Sequence, residues 1–507
     1  MWILAKKQAA NRTLYSRCFI LCILMVMTCT PLCAQTQIDK AATTGKADGI
    51  TDEYKGQWWL GIIEEASLPI NLTFAADSTG KAVPMLYSPL QSAKPMLPSA
   101  WSFVKDTLRL QIKSLGVKMT LRYTTLDNTF SGRFRQGLLN TDITLKPTDD
   151  LFRLHRPQEP QPPFPYSETQ LILNHKDSRG EKISVGVTLT IPNAQEHQEL
   201  KPKVPCVLLV SGSGMQNRDE EIMGHKPFLV ITDYLARCGI ASLRYDDRGM
   251  GESTGDVVNV TTDHLADDAE WLFKWMRKQP GIDPKRVGII GHSEGGTIAP
   301  IIASRNRKVA FIVMLAGPGV DGASILRQQN HDLFLAGGVD SSLVAIRDAF
   351  LKDCFEAVGK YKDSELDSLY KTLANKYSEG LSKADRKKIG LSTFEASQMA
   401  SQMKMPWMQR FVQIDPAPYL KKVKSPVLAL NGAKDLQVSA AENLAAIKKT
   451  VKPNLLTAMQ LDDLNHLFQH CDKGLPSEYM LIEETFSQET LKIMVDWICA
   501  QTEQTLK

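Results

Sequence analysis

The sequence predicts a mostly parallel α/β sheet domain with helices on both faces and a helical insertion, preceded by a small all-β domain. Three observations point there. Residues 54–147 alternate apolar and polar positions with a period near two, and residues 148–165 are dense in proline. From residue 166 on, apolar runs such as "VPCVLLVSG" and "VAFIVMLAG" alternate with amphipathic helical segments. At 507 residues the chain exceeds what one ordinary core holds, so more than one domain is required.

Taken in order, Lys6, Lys7, Arg12 and Arg17 precede the apolar run "FILCILMVMTCTPLCA", which closes on small residues. Residues 1–34 are therefore expected to be a secretory signal cut near Ala34, leaving a secreted or periplasmic protein with no stable membrane span. The uninterrupted apolar part is shorter than the roughly 20 residues a spanning helix needs, and Pro31 ends it. Residues 35–53 are small and polar and are expected to be a tether. In the β domain, "LPINLTF" sets Leu68, Ile70, Leu72 and Phe74 against Pro69, Asn71 and Thr73, and "TLRLQIK" and "VKMTLRY" repeat the pattern. Trp58 and Trp59 are expected as core aromatics, with stacking on sugar as the use of an exposed pair. "RPQEPQPPFP" (156–165) holds five prolines in ten residues, which predicts a semi-rigid linker.

The domain from 166 to 507 carries continuous apolar strands, the mark of a parallel sheet covered on both faces. Between about 318 and 422 the pattern turns helical and rich in Lys, Asp, Gln and Met, which predicts a cap over the carboxyl edge of the sheet.

Chemistry concentrates at Gly291-His292-Ser293-Glu294-Gly295, which follows the apolar strand "VGII" and precedes a helix. A strand, a G-x-S-x-G turn and a helix make a nucleophile elbow. The glycines admit a turn too tight for Cβ atoms beside the serine. A serine of ordinary acidity needs a base held by an acid. Asp435 follows the strand "SPVLALNG" and His466 follows "LLTAMQL", in the order Ser, acid, His of this turn type. The oxyanion donors are expected to be the N–H groups of Glu294, at the start of the helix, and of Ser213 in "VLLVSGSGMQNRDE". His292 is expected to pack the elbow, and Arg218, Asp219 and Glu220 to brace the loop beside it. The Asp246, Asp247 and Arg248 stretch is expected to fix a loop at the sheet edge. Asp462 and Asp463 read as a solvated loop, and His225 and His264 have no partner visible in the sequence. His470 pairs with His466 at helical spacing, but no third ligand cluster accompanies them, so no metal site is expected. Nor is a cofactor.

Sixty basic side chains face 56 acidic ones, and the leader's four cations account for the whole excess. A neutral mature chain excludes a generic nucleic-acid binder. The cysteines outside the leader, Cys206, Cys238, Cys354, Cys471 and Cys499, are scattered and odd in number, as free thiols are.

Together, "VSGSGMQNRDE", "LRYDDRGMGESTG", "GIIGHSEGGTIAP", "LAGPGV", "SPVLALNGAKDLQV" and "LNHLFQ" resemble the secreted bacterial α/β-hydrolases of the serine esterase and S33 serine aminopeptidase-like group. "GQWWLGII" and "FSGRFRQG" resemble the small N-terminal domain that often precedes them. The resemblance implies an α/β-hydrolase fold, Ser293 as nucleophile, His466 as general base and then acid, and Asp435 as its partner. It also implies hydrolysis of a carboxylic ester without cofactor. The substrate is expected to be a small-molecule ester, an acylated sugar among the candidates. Two other readings stay open: a peptidase or amidase using the same triad, and a binding protein that kept the fold and lost catalysis.

Overall fold

The computed structural model describes residues 45–47 and 54–504, apart from 64–67, 79, 89–94, 137–138, 150–154, 178 and 194–202. The signal expected at 1–34 lies outside the described residues. So does most of the expected tether, although Gly45–Ala47 forms a strand. The chain divides into two compact units whose boundary falls between His155 and Arg156.

The first unit is one nine-stranded sheet. Its strands are β1 (Gly45–Ala47), β2 (Trp58–Ile63), β3 (Leu68–Ala76), β4 (Ala82–Tyr87), β5 (Ala100–Val104), β6 (Thr107–Ile112), β7 (Val117–Thr124), β8 (Thr129–Gln136) and β9 (Leu139–Thr148). They run in the order β1-β5-β6-β7-β8-β9-β2-β3-β4, antiparallel except where β1 meets β5. Strict alternation decides which side chains enter the core: along β7, Val117, Met119, Leu121 and Tyr123 are buried while Lys118, Thr120 and Arg122 face out. In β3, Asn71 and Thr73, expected on the outer face, are buried too. Thr73 Oγ1 satisfies itself by donating to the Gln57 carbonyl at 2.6 Å. Trp59 is fully buried, stacked edge-on against Phe130, and its Nε1 donates to the Asn128 carbonyl at 2.8 Å. Trp58 packs on Tyr87 instead, so the two tryptophans do not form an exposed pair.

The second unit holds an eight-stranded sheet. Two long antiparallel strands, β10 (Tyr166–Lys176) and β11 (Lys182–Pro192), lead into it. β12 (Val204–Val210), β13 (Ala241–Tyr245), β14 (Ile282–His292), β15 (Ile312–Leu315), β16 (Val427–Gly432) and β17 (Leu456–Leu461) follow, in the order β10-β11-β13-β12-β14-β15-β16-β17. From β13 to β17 every pairing is parallel. The strands β12, β15 and β16 are apolar along most of their length because both faces are covered. Leu208 and Val210 of β12 pack with Phe273, Ile298 and Ile302 on one face, and Val207 and Leu209 pack with Ile231, Leu235 and Met494 on the other. The covering helices are α1 (Pro227–Arg237), α2 (Thr262–Met276) and α3 (Gly295–Arg305).

Between β15 and β16 the chain makes seven helices: α4 (Gly322–Ala336), α5 (Ser341–Ala357), α6 (Asp363–Tyr377), α7 (Lys383–Lys388), α8 (Thr393–Met403), α9 (Pro406–Gln413) and α10 (Ala417–Leu420). This is the expected insertion, with a core of its own around Phe350, Cys354, Tyr370 and Met408. Several of its helices start at side-chain caps: Asp321 accepts from Ser324 N at 2.9 Å, and Ser392 and Glu395 form a capping box. After β16 come α11 (Ala440–Thr450), α12 (Pro476–Tyr479) and α13 (Gln488–Gln504). The five described cysteines are free, with Cys206 and Cys354 buried.

The proline-rich segment departs from the expected linker. From Arg156 on it is stapled to the second unit. The Arg156 guanidinium donates to the carbonyls of Met480, Ile482, Gly224 and Met223 at 2.7–3.3 Å. Gln158 donates to Phe486 O at 2.7 Å and accepts from Thr485 N and Phe486 N. Composition reports the stiffness of such a segment and not what its polar side chains dock onto. A fragment starting at Arg156 should therefore fold. One starting at Gln161 loses both anchors and should unfold about 7 kcal/mol more easily, given roughly 1 kcal/mol net for each of the seven hydrogen bonds. Urea unfolding of the two fragments, followed by circular dichroism, checks this.

Candidate active site

The elbow depends on two side chains that are missing. A Cβ on Gly291 would sit 2.0 Å from the Gly295 carbonyl oxygen, and one on Gly295 would sit 2.1 Å from the Val210 oxygen. Only glycine lets β14 double back into α3 against β12. Between the two glycines Ser293 takes φ +52°, a left-handed conformation that costs a non-glycine residue about 1–3 kcal/mol. Hydrogen bonds over-determine it: Ser293 N donates to Leu315 O at 2.9 Å, and Gly296 N donates to Ser293 O at 2.8 Å.

Asp435 and His466 come together as expected. His466 Nδ1 lies 2.8 Å from Asp435 Oδ2, and both residues are buried. The other Asp435 oxygen accepts the backbone N–H groups of Gln437 and Val438 at 2.8 and 2.9 Å, which fixes the carboxylate plane. A carboxylate at Nδ1 assigns the ring hydrogen to that nitrogen and leaves the Nε2 lone pair to accept a proton. The His466 loop reaches the elbow through His292, whose Nε2 is 3.0 Å from the His466 carbonyl oxygen. His292 was expected to be a packing residue. It is instead a polar brace, because its Nδ1 also meets Glu220 Oε1 at 2.9 Å.

The loop carrying Ser213 passes beside Ser293: a Cβ on Gly212 would lie 3.0 Å from Ser293 Cβ. Glu220 pins this loop by accepting the Gly212 N–H at 2.7 Å. Arg218 pairs with Asp246, at 2.5 Å, and with Glu252, and Asp219 pairs with Arg244, so all three charged residues brace as expected. Arg248 is buried between Asp268 and Asp177, at 2.6 and 3.1 Å, which anchors the stretch after β13. Its neighbour Asp247 accepts from Ser211 Oγ and Gln216 N. Burial pushes the Asp247 carboxyl up to about 8, with the charges of Glu294 and Glu220 adding to the shift.

Glu294 contributes its amide at the start of α3, and a side chain that sequence reasoning did not use. That carboxylate is buried beneath the elbow and accepts from Thr262 Oγ1 at 2.6 Å and from Trp407 Nε1 at 3.0 Å. Burial raises its pKa, opposed by the bonds from Thr262, Trp407 and Ser213. Trp407 belongs to α9 of the insertion, so the cap is tied to the residue after Ser293. A partner 113 residues away leaves no local signal in the sequence.

The remaining titratable residues have other employment. Asp463 pairs with Lys434 at 2.6 Å, and His470 is exposed and bonded to Glu484 at 2.8 Å. His264 closes the capping box of α2 with Thr261. His225 is buried against Tyr479 O and Thr485 Oγ1, and burial lowers its pKa to about 4. Because the elbow has no room for a methyl group, Gly291→Ala should cost at least about 3 kcal/mol. Denaturant midpoints of the variant and the parent protein test that directly.

Residues 165–467 match the family described as X-Pro dipeptidyl-peptidase (S15 family), where the motifs had resembled the S33-like group. The esterase EstD of Thermotoga maritima is 27% identical over 280 residues, which cover 54% of this chain and 58% of EstD. The chain thus spans little more than half the length of that curated relative. The α/β-hydrolase GrgF of a Penicillium species superposes with a TM-score of 0.40 at 14% identity, over 67% of this chain and 100% of its own. An esterase of Pyrococcus furiosus gives a TM-score of 0.37 at 14% identity, over 66% of this chain and 91% of its own. The chain belongs to the X-Pro dipeptidyl-peptidase (S15) family and has the α/β-hydrolase fold.

Proposed function

We propose that this protein is a secreted hydrolase of small carboxylic esters that works through an acyl-enzyme on Ser293. The observation that carries the reading is the buried Asp435–His466 pair at 2.8 Å, on a loop braced against an elbow that holds Ser293 at φ +52°. Ser293 Oγ attacks the ester carbonyl and passes its proton to His466 Nε2. The Glu294 and Ser213 N–H groups receive the oxyanion, the first helped by the positive end of α3. His466 then protonates the leaving alcohol and activates a water that frees the acid. No step calls for a cofactor or metal. Ile325 and Phe411 of the insertion meet Val438, three residues past Asp435, in a small apolar cluster bordered by Trp407. That cluster suits an acyl group of modest length. An acylated sugar fits as the natural ester, and secretion rests on the basic and apolar leader.

Ser293→Ala should lower kcat roughly 10⁴-fold or more, His466→Ala comparably, and Asp435→Asn somewhat less, since asparagine holds the ring in the wrong tautomer. Initial rates on an aryl acetate and labelling by a fluorophosphonate probe check this. Pure Ser293→Ala that kept a tenth of the activity, or still took the label, would sink the assignment.

A peptidase reading has its own support. The matched family is one of peptidases, and Asp332 on α4 lies close enough to Asp435 for their charges to repel. Burial and then that repulsion raise the Asp332 carboxyl, and only Gln328, at 2.8 Å, donates to it among the described residues. The bond from Gln328 and the neighbouring charge of His331 offset the rise only in part, and a substrate ammonium would offset it further. On this reading Asp332→Asn raises KM about tenfold or more for an aminoacyl-proline amide and leaves a neutral aryl ester untouched. Steady-state kinetics on the matched pair of substrates separate the two readings.

A further inference from the structure

We propose that His292 is a charged positioning residue: as an imidazolium paired with Glu220, it holds the His466 backbone and the Gly212 loop in register with the Ser293 elbow. Both ring nitrogens face acceptors. Nδ1 is 2.9 Å from Glu220 Oε1, and Nε2 is 3.0 Å from the His466 carbonyl oxygen. A neutral imidazole has one N–H and one lone pair, so either tautomer would press that lone pair against an oxygen unless the carboxyl itself carried the proton. A doubly protonated ring satisfies both contacts and leaves Glu220 ionised. Glu220 Oε1 also accepts the Gly212 N–H at 2.7 Å. One unbroken chain therefore runs from Gly212 through Glu220 and His292 to His466, joining the segments that carry the oxyanion donor, the nucleophile and the general base.

The surroundings keep water from replacing any link. His292 is 4% and Glu220 1% exposed. Phe228, Ile231, Leu315, Leu467 and Phe486 line the cavity of about 10 Å³ beside them. The charged groups facing the ring are Glu220, Asp435 and the catalytic His466 itself. Burial opposes the cation, but the charge and hydrogen bond of Glu220, the His466 carbonyl and the charge of Asp435 outweigh it and raise the pKa of His292. The sign follows. A histidine whose pKa is raised on folding contributes its full stabilisation below the ordinary histidine range, and loses it as pH climbs through the raised value. The brace should slacken on the alkaline side. The rate consequence rests on the proposed hydrolase reading, whereas the protonation state does not.

Two readouts keep those apart. Long-range ¹⁵N spectra of histidine-labelled protein, with His292→Gln to assign the signal, should show both His292 nitrogens protonated at about pH 7.5, where an unperturbed histidine titrating near 6.5 is about nine-tenths neutral. A neutral His292 there, one nitrogen bare, would overturn the proposal whatever the enzyme hydrolyses. In kinetics, Glu220→Gln removes the counter-charge while keeping the shape of the side chain and an acceptor for Gly212. It should lower kcat about tenfold with KM within about twofold, and abolish the alkaline decline in kcat, since small misplacements of reacting groups cost up to about 10² in rate. His292→Phe strands a buried carboxylate and is expected to fold poorly, so Glu220→Gln carries the rate test, with its fold verified by circular dichroism. A folded Glu220→Gln enzyme with parental kcat and the parental alkaline limb would reduce the pair to ordinary packing.

Discussion

Everything in the second unit is arranged around one steric constraint, the contact of β14, β12 and α3 at Gly291 and Gly295. Backbone oxygens lie about where Cβ atoms would be, so the strand can turn into the helix within a few residues and lift a single serine above the sheet edge. The left-handed backbone of Ser293 is the strain this turn stores. The parallel sheet resists that strain because β14 is central, hydrogen-bonded to β12 on one side and β15 on the other. On the proposed reading, a nucleophile on so rigid a turn needs little reorganisation when it reacts.

Around that turn the protein buries a shell of carboxylates that would be costly if unpaired. Asp435 takes two backbone amides and the His466 ring. Glu294 takes Thr262 and Trp407. Glu220 takes Gly212 and His292, and Asp247 takes Ser211 and Gln216. Each therefore links two segments distant in sequence. The insertion is part of this shell through Trp407, so the residue next to Ser293 is tied to the cap. That coupling suits an enzyme whose cap decides what reaches the serine.

Much of this was legible from the sequence, because strands buried on both faces write continuous apolar runs and the elbow needs its glycines in a short, fixed pattern. Ser293, Asp435 and His466 could be named because each follows directly on such a run. The bounds of the insertion were legible from the change of period between "VAFIVMLAG" and "SPVLALNG". What escaped was the contact between residues that share no local pattern. Glu220 meets His292 across 72 positions and Trp407 meets Glu294 across 113, and no periodicity joins them. The proline-rich segment was read as a spacer because its backbone stiffness is compositional, while the docking of Arg156 and Gln158 depends on carbonyls more than 300 residues away. His292 looked like filler for the same reason, since its acceptors appear only once the loops are folded together.

The central claim is that Ser293 is acylated during turnover. Mixing the protein with an aryl acetate, quenching in acid within the steady state and mapping peptides by mass spectrometry tests it most directly. The account predicts one acetyl group, on the peptide containing Ser293, that disappears when hydroxylamine is added. Turnover with no acyl group on the enzyme, or with the label on another residue, would contradict it.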